Sequence, residues 1–382
     1  MGAGACGKDQ GFTAQSSFDT PDAGFGEVGP PVVGLPGFEG GASGLLGAGC
    51  ANATAQAKRV PVYMLIVLDG SGSMVNANKW AAIVPALDAI FDDFEVRGDP
   101  AFGVGLTIFA DANDPTITEK TAGPYDKMDV PVAFVDQAQH AALHARIDLT
   151  TPNLGTPTYE VLSGQYPLLE QLAPKPPLLA DGKRVLVLMT DGVPDPDMPA
   201  GQNEGPWSLK LAQTEFMKAA PGPITTFAVG IGPLDGTQTD YDPAFMGALA
   251  VAGGAPKQPC DPTEKTNPLN MCHFQITPGG QTVDQLKEKF IEALTAIRTE
   301  LLTCEYTLDK TGGVVDPTEV NVIYTSGAGT QSLLEEDPAN GWTYDDPNAP
   351  TKVVLHGTTC DTVKADEYGN IEIVLGCKTI TK

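Results

Sequence analysis

The chain has 382 residues, 42% of them hydrophobic, which is enough to bury the core of one large domain with appendages or of two modest domains. Its 48 acidic and 23 basic residues give a formal net charge of −25, which excludes nucleic acid and anionic membrane surfaces as expected partners, because both attract basic chains. No run of the sequence approaches the roughly 20 apolar residues that span a bilayer, whereas divalent cations suit so acidic a chain.

Residues 1–49 are rich in glycine and contain several prolines, but they show little periodicity. Such a segment cannot bury enough apolar surface to offset its ordering entropy, so we predict a flexible, disordered tether. Within it, Cys6 follows Ala3-Gly4-Ala5, small residues of the kind that precede the lipidated cysteine of bacterial lipoproteins. We therefore expect a lipid anchor at Cys6, and contact with a membrane only through that anchor.

The start of the sequence shows no signal peptide, because Met1 is followed by glycine and alanine rather than by a charged and then an apolar stretch. The chain is thus expected to be either cytoplasmic or a processed form. Its seven cysteines include no Cys-x-x-Cys pair and only four histidines accompany them, so a zinc site is not expected. Six cysteines, from Cys50 onward, can form three disulfides, which favours an extracytoplasmic protein.

From Val60 the sequence alternates strands with helices. The run Val62–Leu68 is continuously apolar, as in a strand buried on both faces, and Lys79–Val96 repeats apolar residues at helical spacing. Further strands are predicted at 102–109, 184–190 and 224–229, and further helices at 158–172, at 209–219, from 242 and at 282–302. This alternation predicts an α/β fold, a doubly wound and mainly parallel sheet, within residues 50–303.

After Cys304 the character of the sequence changes. Short apolar runs rich in β-forming residues are separated by glycine, proline, asparagine and aspartate, at 320–324, 342–344, 352–355 and 371–375. We predict that residues 304–382 form a small β domain or β appendage.

Oxygen-bearing side chains stand where strands of the predicted sheet end. The first strand runs into Asp69-Gly70-Ser71-Gly72-Ser73, and a later strand runs into Asp191. Between them, Thr156 lies just before a predicted helix. Because ligands of such sheets sit at the carboxyl ends of the strands, these residues are expected to meet there. Their oxygens select a hard cation such as Mg²⁺, with Mn²⁺ or Ca²⁺ as alternatives.

In order, spacing and strand context, Asp69-x-Ser71-x-Ser73, Thr156 and Asp191 resemble the metal-ion-dependent adhesion site of the von Willebrand factor A family. The resemblance covers roughly residues 58–302. It implies a divalent cation, Mg²⁺ above all, bound by these five residues, with an acidic group of a ligand completing the coordination. Thr158 offers a second hydroxyl, but the family pattern favours Thr156.

Other segments are similar to von Willebrand-type surface lipoproteins of myxobacteria, a set that includes a gliding-motility adhesin. They are Cys50-Ala51-Asn52-Ala53-Thr54, Asp69–Met74, Gly155-Thr156-Pro157-Thr158 and Gly341-Trp342-Thr343-Tyr344-Asp345. His356 stands where a further cysteine is expected. The similarity implies an extracytoplasmic lipoprotein at the outer membrane or cell surface.

The layout of the six later cysteines suggests a disulfide pairing. Cys50–Cys304 would close the base of the A-type domain, Cys260–Cys272 would lie within a loop, and Cys360–Cys377 would lie in the tail. Exchanges among the last four remain open, because a sequence does not fix connectivity.

Three further features of the sequence resemble functional motifs, but we assign no function to them. His140 and His144 are four residues apart but lack the glutamate of a His-Glu-x-x-His motif, which favours a surface helix. Asp195 and Asp197 are expected in a solvated loop rather than around a second cation. Ser71 and Ser73 have no histidine nearby in sequence and lack the Gly-x-Ser-x-Gly spacing of a nucleophile elbow, so the protein is not expected to be an enzyme.

Two classes of function remain open. The first is a cell-surface adhesin or protein-binding module that holds a protein or surface carboxylate through its metal. The second is a structural subunit of an envelope assembly, such as a motility or secretion machine. In either class, a one-turn shift of the helix at 282–302 is hypothesised to give two states of ligand affinity, with a fixed connecting helix as the alternative.

Overall fold

A computed structural model of the chain describes residues 53–111, 113, 125–180, 182–194, 204–219, 223–234, 241–308, 316–366 and 369–381. All of these residues belong to one compact unit, 42–382. The predicted tether with Cys6, and also Cys50, Asp195 and Asp197, lie outside the described residues, so the expectations for them stay predictions.

The strands of the described chain are numbered here in order. They are β1 (Ala53–Gln56), β2 (Lys58–Arg59), β3 (Val62–Asp69), β4 (Phe102–Phe109), β5 (Val130–Phe134), β6 (Lys183–Thr190), β7 (Ile224–Ile231), β8 (Phe274–Ile276), β9 (Glu305–Thr307), β10 (Val320–Thr325), β11 (Gln331–Leu334), β12 (Trp342–Tyr344), β13 (Lys352–Leu355) and β14 (Asn370–Leu375).

The α-helices are numbered in the same way. They are α1 (Lys79–Arg97), α2 (Gln137–Asp148), α3 (Thr158–Glu170), α4 (Glu204–Phe216), α5 (Pro243–Ala252), α6 (Val283–Leu301) and α7 (Gly357–Ala365). Within the described ranges, none of the helices is long and apolar enough to cross a membrane.

Six strands form the central sheet, in the order β5-β4-β3-β6-β7-β8. Only β5, at one edge, runs antiparallel to its neighbour; the other pairs are parallel. The chain passes from β3 to β4 on one side and later returns to β6 on the other. The predicted α/β fold with a doubly wound, mainly parallel sheet is confirmed.

Helices cover both faces of this sheet. Along β3, Met64, Ile66 and Leu68 pack into the core beneath α1, α2 and α6, and the alternate residues pack beneath α3, α4 and α5. A strand buried on both faces must be apolar at every position, which explains its continuous apolar run. The helix α6 buries an apolar ridge of five residues, Leu286, Phe290, Leu294, Ile297 and Leu301.

The C-terminal part consists of two four-stranded sheets, ordered β1-β14-β10-β11 and β12-β13-β9-β2. The four predicted β runs are present as β10, β12, β13 and β14, and α7 is a helix that the sequence did not suggest. Strands β1 and β2, which the sequence analysis grouped with the A-type domain, pair instead with β14 and β9. The entering chain thus completes the C-terminal sheets before it reaches β3.

Two disulfides join described residues. Cys260–Cys272 is confirmed. Cys304 pairs with Cys360, so the expected pairs Cys50–Cys304 and Cys360–Cys377 are wrong; Cys377 is disulfide-bonded as well. The Leu355 amide donates to the Cys304 carbonyl oxygen at 2.8 Å, and α7, which carries Cys360, starts two residues after Leu355. Cys360 is therefore brought close to Cys304.

Candidate metal centre

The centre lies where β3 and β6 end, side by side in the sheet. Asp69 is the last residue of β3, and Asp191 directly follows β6. Because the chain goes from β3 to β4 on one side and later returns to β6 on the other, the strand order reverses between β3 and β6. The crevice at such a reversal is the usual ligand position in these sheets. The chain turns sharply at Gly70, where a Cβ atom would lie only 2.8 Å from the Phe109 carbonyl oxygen.

Three oxygens converge beyond this turn. The Ser71 amide donates to Asp69 Oδ1 at 2.7 Å, which fixes the start of the turn. A 3₁₀ turn then carries Ser73, whose Oγ lies 3.0 Å from Ser71 Oγ and donates to Asp191 Oδ1 at 2.8 Å. Ser71 Oγ is 3.5 Å from the same Asp191 oxygen. The two serines and Asp191 therefore face one point.

Thr156 reaches the centre from the loop before α3. The Gly72 amide donates to the Leu154 carbonyl oxygen at 3.2 Å, which holds this loop against the serine turn. The Thr156 hydroxyl packs on Gly192, where a Cβ atom would lie 2.5 Å from Thr156 Oγ1. The Thr158 hydroxyl turns back to its own backbone, at 3.4 Å from the Thr156 carbonyl oxygen. The structure thus places Thr156, not Thr158, next to the residue that follows Asp191.

The two aspartates of the centre are both buried. Asp69 and Asp191 are 0% and 1% exposed. Burial, together with the negative charge of Asp191, raises the pKa of Asp69 to about 7, although hydrogen bonds from Thr190 and Ser71 act in the opposite direction. Two carboxylates held together out of water need positive charge nearby.

Part of that charge comes from Lys79, the first residue of α1. Its side chain is almost completely buried and its Nζ forms an ion pair with Asp191 Oδ2, the oxygen that the serines do not use. The hydroxyl of Thr190, the last residue of β6, donates to Asp69 Oδ2. Neither residue belongs to the sequence motif, and the one sequence signal for them is that Lys79 opens a helix six residues after Ser73.

The oxygens fit a divalent cation. Ligands at 2.0–2.1 Å from an octahedral Mg²⁺ lie roughly 2.9 Å from their neighbours, and the separations among Ser71 Oγ, Ser73 Oγ and Asp191 Oδ1 are 3.0, 2.8 and 3.5 Å. The donors are carboxylate and hydroxyl oxygens, which hard cations prefer. Asp69, Ser71, Ser73, Thr156 and Asp191 could therefore hold the ion directly or through water.

No protein-family model matches the chain, and no curated protein does. Among solved structures, it is similar to the pilus adhesin SpaC from Lactobacillus rhamnosus GG in its open conformation, with 14% identity over 84% of this chain and a TM-score of 0.45. A second is von Willebrand factor type A from Catenulispora acidiphila, with 16% identity over 86% of this chain and a TM-score of 0.39. A third is proximal thread matrix protein 1 from the mussel byssus with a zinc-occupied MIDAS motif, with 16% identity over 64% of this chain and a TM-score of 0.37.

This chain spans only part of each of these proteins, 39%, 61% and 48% of their respective lengths. Von Willebrand factor A domains are thus among the solved structures that it resembles. At such identities and TM-scores, the roles of the site residues rest on the geometry of this chain alone.

Proposed function

We propose that this chain, which resembles von Willebrand factor A domains in its fold and in its site residues, is a surface adhesion or protein-binding module. In this proposal a divalent cation, Mg²⁺ in the first place, is held by Asp69, Ser71, Ser73, Thr156 and Asp191. It bridges to an acidic group of a protein or surface ligand. The observation that carries the proposal is the convergence of the two serine hydroxyls on Asp191 Oδ1.

The charge balance supports an acidic ligand. The two aspartates contribute two negative charges, and Lys79 offsets one of them through its ion pair with Asp191. A divalent cation therefore leaves the centre with a net charge of about +1, because the hydroxyls of Ser71, Ser73 and Thr156 are neutral. A site with residual positive charge attracts a carboxylate, which also supplies a hard oxygen ligand.

We further propose that the protein is located outside the cytoplasm and that it is not an enzyme. Two disulfides between described residues support an oxidising compartment. A lipid anchor at Cys6 and a role in gliding motility rest on the sequence segments described above. The contacts described for the Ser71 and Ser73 hydroxyls join them to each other and to Asp191, and none of those contacts is to a histidine that could activate a nucleophile.

A pull-down tests the ligand. The chain is immobilised and exposed to envelope and extracellular fractions, with Mg²⁺ or with chelator, in wild-type, Asp69→Ala and Asp346→Ala forms. The last replaces an exposed aspartate of the C-terminal part and is the matched control. Retention that needs both Mg²⁺ and Asp69 is expected. Retention of one fixed envelope partner in chelator, and by the Asp69 variant, would instead identify a structural subunit.

The cation itself is tested by thermal unfolding. We expect Mg²⁺ or Mn²⁺ to raise the melting temperature, because an ion that binds only the native state stabilises it, by about 2.7 kcal/mol at one hundred times its dissociation constant. Asp69→Ala is expected to abolish the rise, and Asp346→Ala to retain it. An equal rise in wild-type and Asp69→Ala chains would contradict the assignment of the centre.

A further inference from the structure

A cluster of histidines and carboxylates lies between α1 and α2, which pack side by side. The spacings of three or four residues place the members of each helix on a single face. The two histidines, for which the sequence predicts a plain surface helix, therefore face carboxylates. One face of α1 presents Asp88, Asp92 and Glu95, and the facing side of α2 presents His140, His144 and Asp148.

Each imidazole of the cluster lies between two carboxylates. His140 Nδ1 is 2.6 Å from Glu95 Oε2, and His140 Nε2 is 3.6 Å from Asp88 Oδ1. His144 Nδ1 is 3.1 Å from Asp148 Oδ2, and His144 Nε2 is 3.5 Å from the same Asp88 oxygen. Asp88 therefore faces both histidines and connects α1 to each of them.

This arrangement favours protonated imidazoles. An ionised carboxylate only accepts hydrogen bonds, and a neutral imidazole carries a proton on one nitrogen alone. In either neutral tautomer, the other nitrogen would direct a lone pair at a carboxylate. The imidazolium instead presents an N–H group to both neighbours and carries the opposite charge. Partial removal from water lowers the pKa of His140, but the three facing carboxylates of α1 raise it by more, so the pKa lies above its usual value of about 6.5.

The positive charge of the cluster depends on these protons. The strands β4 and β5, against which α2 also packs, contain no titratable residue. Asp136, which caps α2 one turn before His140, adds negative charge. When the imidazoles lose their protons, the facing carboxylates are therefore left to repel each other. The three cations of α1 and α2 are engaged elsewhere, Lys79 with Asp191, Arg97 with Asp93, and Arg146 with Asp111 and Asp129.

The cluster joins the two helices that lead to the candidate metal centre. The helix α1 starts at Lys79, which pairs with Asp191, and α2 is followed by the loop that carries Thr156. In this loop, the Asn153 amide donates to the Gly70 carbonyl oxygen at 2.8 Å. A change in how α2 packs on α1 therefore affects the loop that positions Thr156.

We propose that this cluster is a pH-sensitive clasp, in which the protonated imidazoles of His140 and His144 hold α2 on α1 and release it as the pH rises. The effect of the clasp on cation binding rests on the proposed function, whereas its effect on stability does not. Because the native state holds the His140 proton more tightly than the unfolded chain does, the stability from this group is fully present below about pH 6.5. It is lost as the pH rises through the native pKa.

Denaturant unfolding of the full chain in chelator, from about pH 6 to about pH 8.5, tests the clasp. Wild type is compared with His140→Gln, which cannot take up the charge. The matched control is Ala142→Gln, which introduces the same side chain at an exposed position of α2 and removes no titrating group. We expect the unfolding constant of His140→Gln, divided by that of wild type, to fall at least about threefold over this range, because linkage changes the constant by up to about tenfold per pH unit. The same ratio for Ala142→Gln is expected to stay constant.

The titration of the His140 imidazole in the wild type, followed by NMR, needs no variant that folds. Its midpoint is expected above about 6.5. A midpoint at or below this value would overturn the proposal. So would a ratio for His140→Gln that stays as constant as the ratio for Ala142→Gln.

The effect on the candidate centre is measured as the Mg²⁺ affinity of the same two variants. At about pH 6.5, His140→Gln is expected to bind Mg²⁺ several-fold more weakly than Ala142→Gln, and at about pH 8.5 the two are expected to bind equally. Equal affinities at both pH values would overturn the coupling of the clasp to the centre. A wild-type chain that binds no Mg²⁺ would contradict the proposed function, and the unfolding measurements would still decide the clasp.

Discussion

At the scale of single residues, the centre depends on one lysine that its motif does not contain. Asp69, Ser71 and Ser73 are close in sequence and follow a strand, so their meeting could be predicted from the pattern alone. Lys79 could not, because lysine is almost always exposed. Its burial follows from the place where α1 starts, directly over Asp191. Likewise, the sequence identifies Thr190 only as a strand residue, and its hydrogen bond to Asp69 becomes evident only in the structure.

Replacing Lys79 by methionine tests its role. The change leaves Asp191 buried without its positive partner, so we expect a loss of about 3–5 kcal/mol in the unfolding free energy in chelator. Removal of a nearby positive charge is also expected to tighten the binding of Mg²⁺. Denaturant unfolding with and without Mg²⁺ measures both effects. An Mg²⁺ affinity equal to that of the wild type would show that Lys79 does not act on the centre.

The pKa of Asp69 predicts a pH dependence. Burial and Asp191 raise it from 3.8 to about 7, so between these values the native state holds a proton that the unfolded state has lost. In chelator, the stability contributed by this group is therefore expected to fall as pH rises from about 4 to about 7, by at most about 1.4 kcal/mol per pH unit. Mg²⁺ binding is expected to tighten over the same range, since the proton competes with the ion. Titration calorimetry at several pH values checks this, and a flat profile would contradict it.

At the scale of elements, periodicity predicted what local sequence determines. The apolar run of β3 and the ridge of α6 specify burial by themselves, and both elements are present. The pairing of strands that are far apart along the chain could not be predicted from periodicity. Strand β2 has only two residues, Lys58 and Arg59, and its partner is β9, far along the chain. Helix α7 carries three threonines and starts at a glycine, residues of poor helix propensity, so packing rather than propensity forms it.

The same limit applies to the disulfides. Cys304–Cys360 closes a separation of 56 residues and Cys260–Cys272 one of 12. In the chain-entropy model the longer loop contributes about 1.4 kcal/mol more. We therefore expect Cys360→Ala to lower the unfolding free energy more than Cys272→Ala, as measured by denaturant unfolding. The reverse order would show that native packing around the bridge, not loop closure, decides its contribution.

At the scale of the whole molecule, α6 connects the central sheet to the C-terminal part. It packs against α1, whose first residue is Lys79. Beyond α6, the Thr303 hydroxyl donates to the Val60 carbonyl oxygen at 3.1 Å, and Cys304 is bonded to α7. A displacement of α6 by one turn, roughly 5 Å, would therefore disturb both the packing of α1, which carries Lys79, and the C-terminal part.

An engineered disulfide that locks α6 to the sheet tests this coupling. If two states exist, the locked chain is expected to bind its ligand in Mg²⁺ with an affinity changed at least several-fold, because only one state remains accessible. The same variant after reduction is the control, compared with wild type treated in the same way. Equal affinities of locked and reduced forms would leave α6 as a rigid connector.

The pairing of β1 and β2 with C-terminal strands also decides how the protein carries a mechanical load. The Val60 amide donates to the Glu305 carbonyl oxygen at 3.0 Å, so the chain enters and leaves the central sheet at neighbouring points. Tension applied between residues 53 and 375 acts on the β1–β14 pairing and bypasses that sheet. In the proposed function, tension applied through a ligand at Asp69 would instead travel along β3 to this shared base. The centre would then carry load only while a ligand is bound to it.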